Sequence, residues 1–109
     1  MKIKKFLLII TLSFLFTVQT IFAEEAKMIK GLEIFNETAG CAACHVLKAA
    51  GSVGNIGPNL DTVTNLSIES VTDIVTNGLG VMPAFGEDQI LTKDEIAIVS
   101  FYVVNSANK

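Results

Sequence analysis

Apolar residues are unevenly spread along this chain. Phe6 to Phe16 is an eleven-residue run broken only by Thr11 and Ser13, and apolar character continues to Ala23. Beyond it the pattern becomes periodic. Ile29, Leu32 and Phe35 recur at i, i+3 and i+6 with Met28 beside them, which predicts a helix over about residues 25–37. Gly31 interrupts that stripe, and a glycine inside a helix usually answers a packing need. A second stripe, Ile68, Val71, Ile74 and Val75, starts behind Ser67, a good N-cap, and stops at Asn77-Gly78. Its β-branched residues form helix weakly on their own, so it depends on packing. A third helix opens at Thr92, with Glu95 completing a capping box. Ile96, Val99 and Val103 then share a face with Tyr102 nearby, and residues 105–109 are expected to fray. The Gly51–Leu60 stretch reads as a sharply bending loop, because its three glycines lack the strand–loop–helix setting of a phosphate site. Paired alternating segments with hairpin turns are missing, so the fold class expected is all-α.

The first apolar run belongs to a different kind of segment. Lys2, Lys4 and Lys5 precede it, and Gln19-Thr20-Ile21-Phe22-Ala23 ends it on a small residue before Glu24-Glu25. That is the three-part plan of a secretory signal peptide, with cleavage expected after Ala23. The alternative is an uncleaved anchor, since the largely apolar stretch from Phe6 to Ala23, 18 residues, is at the low end for crossing a bilayer. The division expected is a leader at 1–23 and one domain at 24–109. Either way the functional part lies outside the cytoplasm.

Removing the leader changes the charge. It leaves five Lys against eleven Asp and Glu, a net charge of −6, with no Arg and no Trp. That argues against binding nucleic acid or an anionic membrane surface and suits a basic partner surface. The 86 remaining residues hold three Phe and one Tyr. A domain of that size is marginal on its own core and usually needs a staple.

The candidate staple is Cys41-Ala42-Ala43-Cys44-His45, which contains both cysteines and the only histidine. Cysteines three apart on a helical turn project to one side and can form two thioether bonds to one porphyrin. The adjacent His45 then lies under the iron, and the pattern is that of c-type haem attachment. Three other uses fit less well. A dithiol oxidoreductase wants a βαβ scaffold, zinc wants a fourth ligand, and a disulfide across three residues closes too short a loop to stabilise much.

With this motif after one helix near the mature N-terminus, the chain resembles the class I c-type cytochromes over essentially its whole mature length. The resemblance implies the cytochrome c fold, three to five short helices wrapped around one covalently attached haem c. It implies Cys41 and Cys44 as the thioether anchors and His45 as an axial iron ligand. Gly80-Val81-Met82-Pro83-Ala84-Phe85 is similar to the family's second ligand segment, which makes Met82 the expected sixth ligand. Met28 reads as core. Gly57-Pro58-Asn59-Leu60 resembles the loop whose Pro carbonyl accepts from the ligand histidine, which assigns Pro58 that role. Gly31 and Phe35 resemble the pair that packs on the C-terminal helix near Val99 and Tyr102. Two features depart from the family. Phe35 to Cys41 is six residues, so the turn at 36–40 is expected to be extended, and no Arg or Trp is present to hold the haem propionates.

An iron with both axial positions filled has little room for substrate. The resemblance therefore implies a small periplasmic carrier of single electrons rather than an enzyme, with redox proteins as partners and no membrane contact unless the leader is kept. Its docking rim is expected at Ala42, Ala43, Val53, Ile56, Pro83, Ala84 and Phe85. Two alternatives stand beside it: the haem subunit of a periplasmic oxidoreductase, and a sensor or enzyme in which Met82 gives way to a gas or peroxide.

Overall fold

The computed structural model describes residues 2–109 and is built mainly from three helices. Helix α1 spans Lys2–Glu33 and runs into one wide π-helical turn, Ile34–Thr38. A 3-10 turn at Cys41–Ala43 leads to strand β1, Val46–Leu47, then a second 3-10 turn and strand β2, Ser52–Val53. Helix α2 spans Ile68–Asn77 and α3 spans Lys93–Ser106.

Helix α1 begins far upstream of the expected residue 25. The first 30 residues contain no Gly or Pro, so nothing in them stops a helix. Its N-terminal part is exposed, with Phe6, Leu8 and Phe16 all in the open. It is the one described helix long and apolar enough to cross a membrane by length and composition.

Lys27 Nζ lies over the Phe101 ring of α3, 5.0 Å from its centroid, apolar packing on the core begins at Met28, and Gly31 is buried against α3. A Cβ at Gly31 would collide with Cβ of Tyr102 and come within 3.2 Å of the Ile98 carbonyl. Only glycine lets the two helices approach this closely. One turn on, Phe35 packs on Tyr102 with ring centroids 6.0 Å apart and planes tilted by 57°. Such tilted pairs contribute about 0.5–1.5 kcal/mol beyond their burial. The expected pairing of Gly31 and Phe35 with this part of α3 is therefore what the structure has.

The crossing also corrects the stripe. Ile29 is 64% exposed. It lies roughly 200° around the helix from Gly31 at 3.6 residues per turn, whereas Met28, Leu32 and Phe35 flank the glycine closely. Phe35, Ile34, Leu47, Val99 and Ser100 are the most completely buried side chains.

Both predicted caps form. Ser67 Oγ accepts from Ser70 N at 3.0 Å while Ser70 Oγ accepts from Ser67 N at 3.1 Å. Thr92 Oγ1 accepts from Glu95 N at 3.2 Å, and Glu95 Oε2 accepts from Thr92 N at 2.9 Å. Two further expectations are corrected. A small antiparallel ladder exists, pairing Val46 with Val53 and Leu47 with Ser52, too short to show as alternation. The C-terminus does not fray: Ser106 and Ala107 are buried, and Asn108 N donates to Asp61 Oδ1 at 3.1 Å.

Candidate functional site

Gly40, at a φ of 68°, turns the chain into the Cys41–Ala43 3-10 turn. The N–H groups of Cys44 and His45 both donate to the Cys41 carbonyl, at 3.1 and 3.0 Å. This local winding sets both cysteines and His45 on one cleft. Both thiols are free, so no disulfide joins them. Burial pushes the Cys41 thiol up to about 11; its own backbone N–H pulls the other way, and Cys44 adds to the rise.

His45 is oriented by the Pro58 loop, which lines the same cleft. Its Nδ1 donates to the Pro58 carbonyl at 2.7 Å, since a carbonyl only accepts. That fixes the tautomer and leaves Nε2 with a free lone pair. The loop carrying Pro58 runs alongside the His45 segment and is stitched to it. Gly57 N donates to Cys44 O at 2.8 Å, and Leu60 N donates to Val46 O at 2.9 Å. The His45–Pro58 bond sits between them.

Met82 reaches the same cleft from a tight turn. Its N–H donates to Leu79 O at 3.0 Å, and Leu79 N returns a bond to Met82 O at 3.3 Å. The cleft has a volume of about 320 Å³. Cys41, Cys44, His45 and Met82 all line it, and the remaining wall is almost wholly apolar, with Leu60, Leu66, Val71, Val75 and Val103 among its residues. Another cavity, of about 480 Å³ between Thr72, Thr76, Glu87 and Lys93, holds none of these donors.

The competing chemistries lose their footing here. The only sheet among the described residues is the two-residue ladder, so a βαβ scaffold is missing. Among the described residues no three His, Cys, Asp or Glu side chains converge on a point where a metal ion could sit.

The expected rim needs one correction. Val53 and Ile56 are 86% and 69% exposed, but Phe85 is core. Its carbonyl accepts from Ile90 and Leu91 as the chain turns, and its side chain is buried in the core cluster. Leu79 and Val81, at 69% and 87%, are exposed at the cleft mouth instead. Sequence reasoning missed them, although they flank Met82. It also missed the close packing of Gly57 on His45 and the bonds made by Asp61.

The family profile described as cytochrome c oxidase, cbb3-type, subunit III, matches residues 26–103. The chain belongs to the c-type cytochromes. The similarity extends to single proteins. A cytochrome c6 of Gloeothece citriformis is 38% identical over 84 residues, covering 72% of this cytochrome and 71% of the relative. A cytochrome c6 of Bryopsis maxima is also 38% identical, over 88 residues, covering 72% and 91% of the two chains. The crystal structure of the c-type cytochrome SorU from Sinorhizobium meliloti superimposes with a TM-score of 0.70 at 46% identity, covering 78% of this chain and 95% of that one.

This small class I cytochrome has the all-α fold the sequence implied and carries one covalently bound haem c. The site fits the group. A porphyrin needs an apolar slot with two thiols at one edge and a nitrogen or sulfur donor facing the metal, and the cleft presents such a set on its own wall. The protein is an electron carrier by kinship with the cytochromes c6.

Proposed function

We propose that this cytochrome shuttles single electrons between redox proteins outside the cytoplasm, with Cys41 and Cys44 as thioether anchors and His45 and Met82 as axial ligands. The observation that carries this reading is the His45–Pro58 hydrogen bond at 2.7 Å, which turns Nε2 of a cleft-lining histidine into a fixed donor. When bound, the haem supplies a one-electron iron couple. The chain's own residues do the rest. Pro58 holds the His45 ring and increases its basicity as a donor. Met82 offers a soft sulfur, which favours the reduced metal and raises the potential. The apolar wall excludes water, and thioethers at Cys41 and Cys44 keep the group from being lost. The thioether at Cys41 would also take that raised thiol out of titration.

If His45 and Met82 both bound the iron they would leave no open position for substrate, which supports a carrier rather than an enzyme. The apolar leader supports export, with residues 1–23 as a signal peptide and 24–109 as the working domain in the periplasm. The net charge of −6 on that domain favours partners with a basic docking surface. The test is spectroscopic. The resting ferric protein should show the Met–sulfur charge-transfer band, and Met82→Ala should abolish it and lower the potential markedly. An unchanged potential would mean that another residue is the sixth ligand.

A second reading has one observation behind it: the matching profile is described as an oxidase subunit. A haem subunit of a periplasmic oxidoreductase would co-purify with a larger partner, whereas a free carrier would elute alone.

A further inference from the structure

Residues 44–48 and 57–61 run side by side in the same direction, joined at Cys44–Gly57, His45–Pro58, Val46–Leu60 and Lys48–Asp61. The last bond differs in kind. Asp61 Oδ2 accepts from Lys48 N at 2.7 Å, a carboxylate in place of a carbonyl. Bonds to an ionised acceptor are shorter and stronger than neutral ones. The other oxygen, Oδ1, accepts from Asn108 N at 3.1 Å, across 47 residues. Asp61 N in turn donates to Asn59 Oδ1 at 2.9 Å, so the residue is fixed at both ends. Asp61 makes no ion pair among the described residues, and its two oxygens each hold one main-chain amide. Asn108 has a φ of 62°, a left-handed conformation that asparagine tolerates better than most residues. Its Nδ2 faces the Val63 carbonyl at 3.5 Å.

We propose that Asp61 is a positioning residue for the His45 side of the haem cleft. Its carboxylate clips the Pro58 loop to the segment that follows His45 and to the C-terminal tail at once. The inference rests on the reading of His45 as an iron ligand. Without the clip the loop is free to lift at its Asp61 end, where Leu60 N is the next bond back toward Pro58. The Pro58 carbonyl then holds the His45 ring less firmly, and the ring proton at Nδ1 becomes open to water. A less basic His45 would stabilise the oxidised iron less, so the potential would rise.

The test follows the Nδ1 proton of His45 by NMR in the reduced, haem-loaded protein. Wild type is compared with Asp61→Ala, which removes both bonds, and with Asp61→Glu, which keeps the charge but displaces the carboxylate. Both variants should exchange that proton at least about tenfold faster, the lower bound set by losing one hydrogen bond to a charged group. Both should also have a raised potential. Should Asp61→Ala fail to take up haem, Asp61→Glu decides alone. Wild-type exchange in a folded variant overturns the proposal, whatever its melting temperature, and so does an Asp61→Glu protein indistinguishable from wild type. The ligand reading fails separately: His45 ring protons in wild type that lack the porphyrin's upfield shift would remove it before any variant is compared.

Discussion

Gly57 lies flat against the His45 ring: a Cβ there would sit 2.6 Å from Cε1 and 2.9 Å from Nδ1. The ring cannot swing aside, because its Nδ1 is tied to Pro58 on the neighbouring residue of the same loop. Gly57→Ala is therefore expected to cost about 1–3 kcal/mol, the usual range for overpacking a tight contact. It should also alter the potential. Thermal melting and redox titration of the haem-loaded variant check both, and unchanged values would mean that the loop is softer than its bonds suggest.

Gly31→Ala brings a methyl group into Tyr102 at the α1–α3 crossing. The loss expected is again about 1–3 kcal/mol, read as a lower denaturant midpoint. Because the contact lies between helices and away from the cleft-lining donors, the Met–sulfur band of the folded fraction should be unchanged.

Among the described residues the buried hydroxyls of Tyr102, Ser100 and Ser106 make no hydrogen bond of good geometry. Burial raises the phenol's pKa above its ordinary value of 10, and the neighbouring Ser106 offsets this only in part. A raised folded pKa means that the folded state holds the proton more tightly than the unfolded chain. The contribution is thus present below about pH 10 and is lost as pH climbs through the folded value. Tyr102→Phe should be neutral or mildly stabilising at pH 7, because it removes an orphan hydroxyl while keeping the ring. Its stability should fall less than wild type above pH 10. Denaturant titrations at pH 7 and pH 10.5 would show this, and parallel losses in both proteins would exclude Tyr102 as the cause.

The double variant Cys41→Ala, Cys44→Ala should lose haem staining on a denaturing gel, whereas wild type keeps it. Retained stain would require an attachment elsewhere on the chain.

Cleaved after Ala23 as proposed, the chain would carry a net charge of −6 and should meet a basic redox partner faster at low salt, because exposed charges are screened over about 10 Å at 0.1 M ionic strength. Stopped-flow rates against salt concentration test this. A flat profile would favour recognition through the exposed Val53, Ile56, Leu79 and Val81.

Local chemistry was legible in the sequence, and distant partners were not. The Thr92–Glu95 capping box, the Ser67 cap and the Cys41-to-His45 turn are written in neighbouring residues, and each formed. Gly31 and Pro58 were legible through resemblance, because each lies in a segment similar to one with a known place in the family's fold. Ile29 was misplaced because periodicity identifies a helix but not which side meets α3; the Tyr102 contact at Gly31 decides that. The tail was misread because its anchor, Asp61, lies 47 residues from Asn108, and no local pattern announces such a bond. Phe85 looked like rim because it follows Met82-Pro83, yet its side chain packs in the core cluster with residues distant in sequence.

The stitching between residues 44–48 and 57–61 uses mostly groups that every residue carries, amide hydrogens and carbonyl oxygens. Side chains that point away from it therefore have latitude. Substitutions at exposed positions such as Lys48 or Asn55 could retune which partner the surface accepts while the histidine stays where the main chain put it. The placing of His45 and the choice of partner are thus inherited on separate parts of the same stretch of chain, and one can drift without spoiling the other.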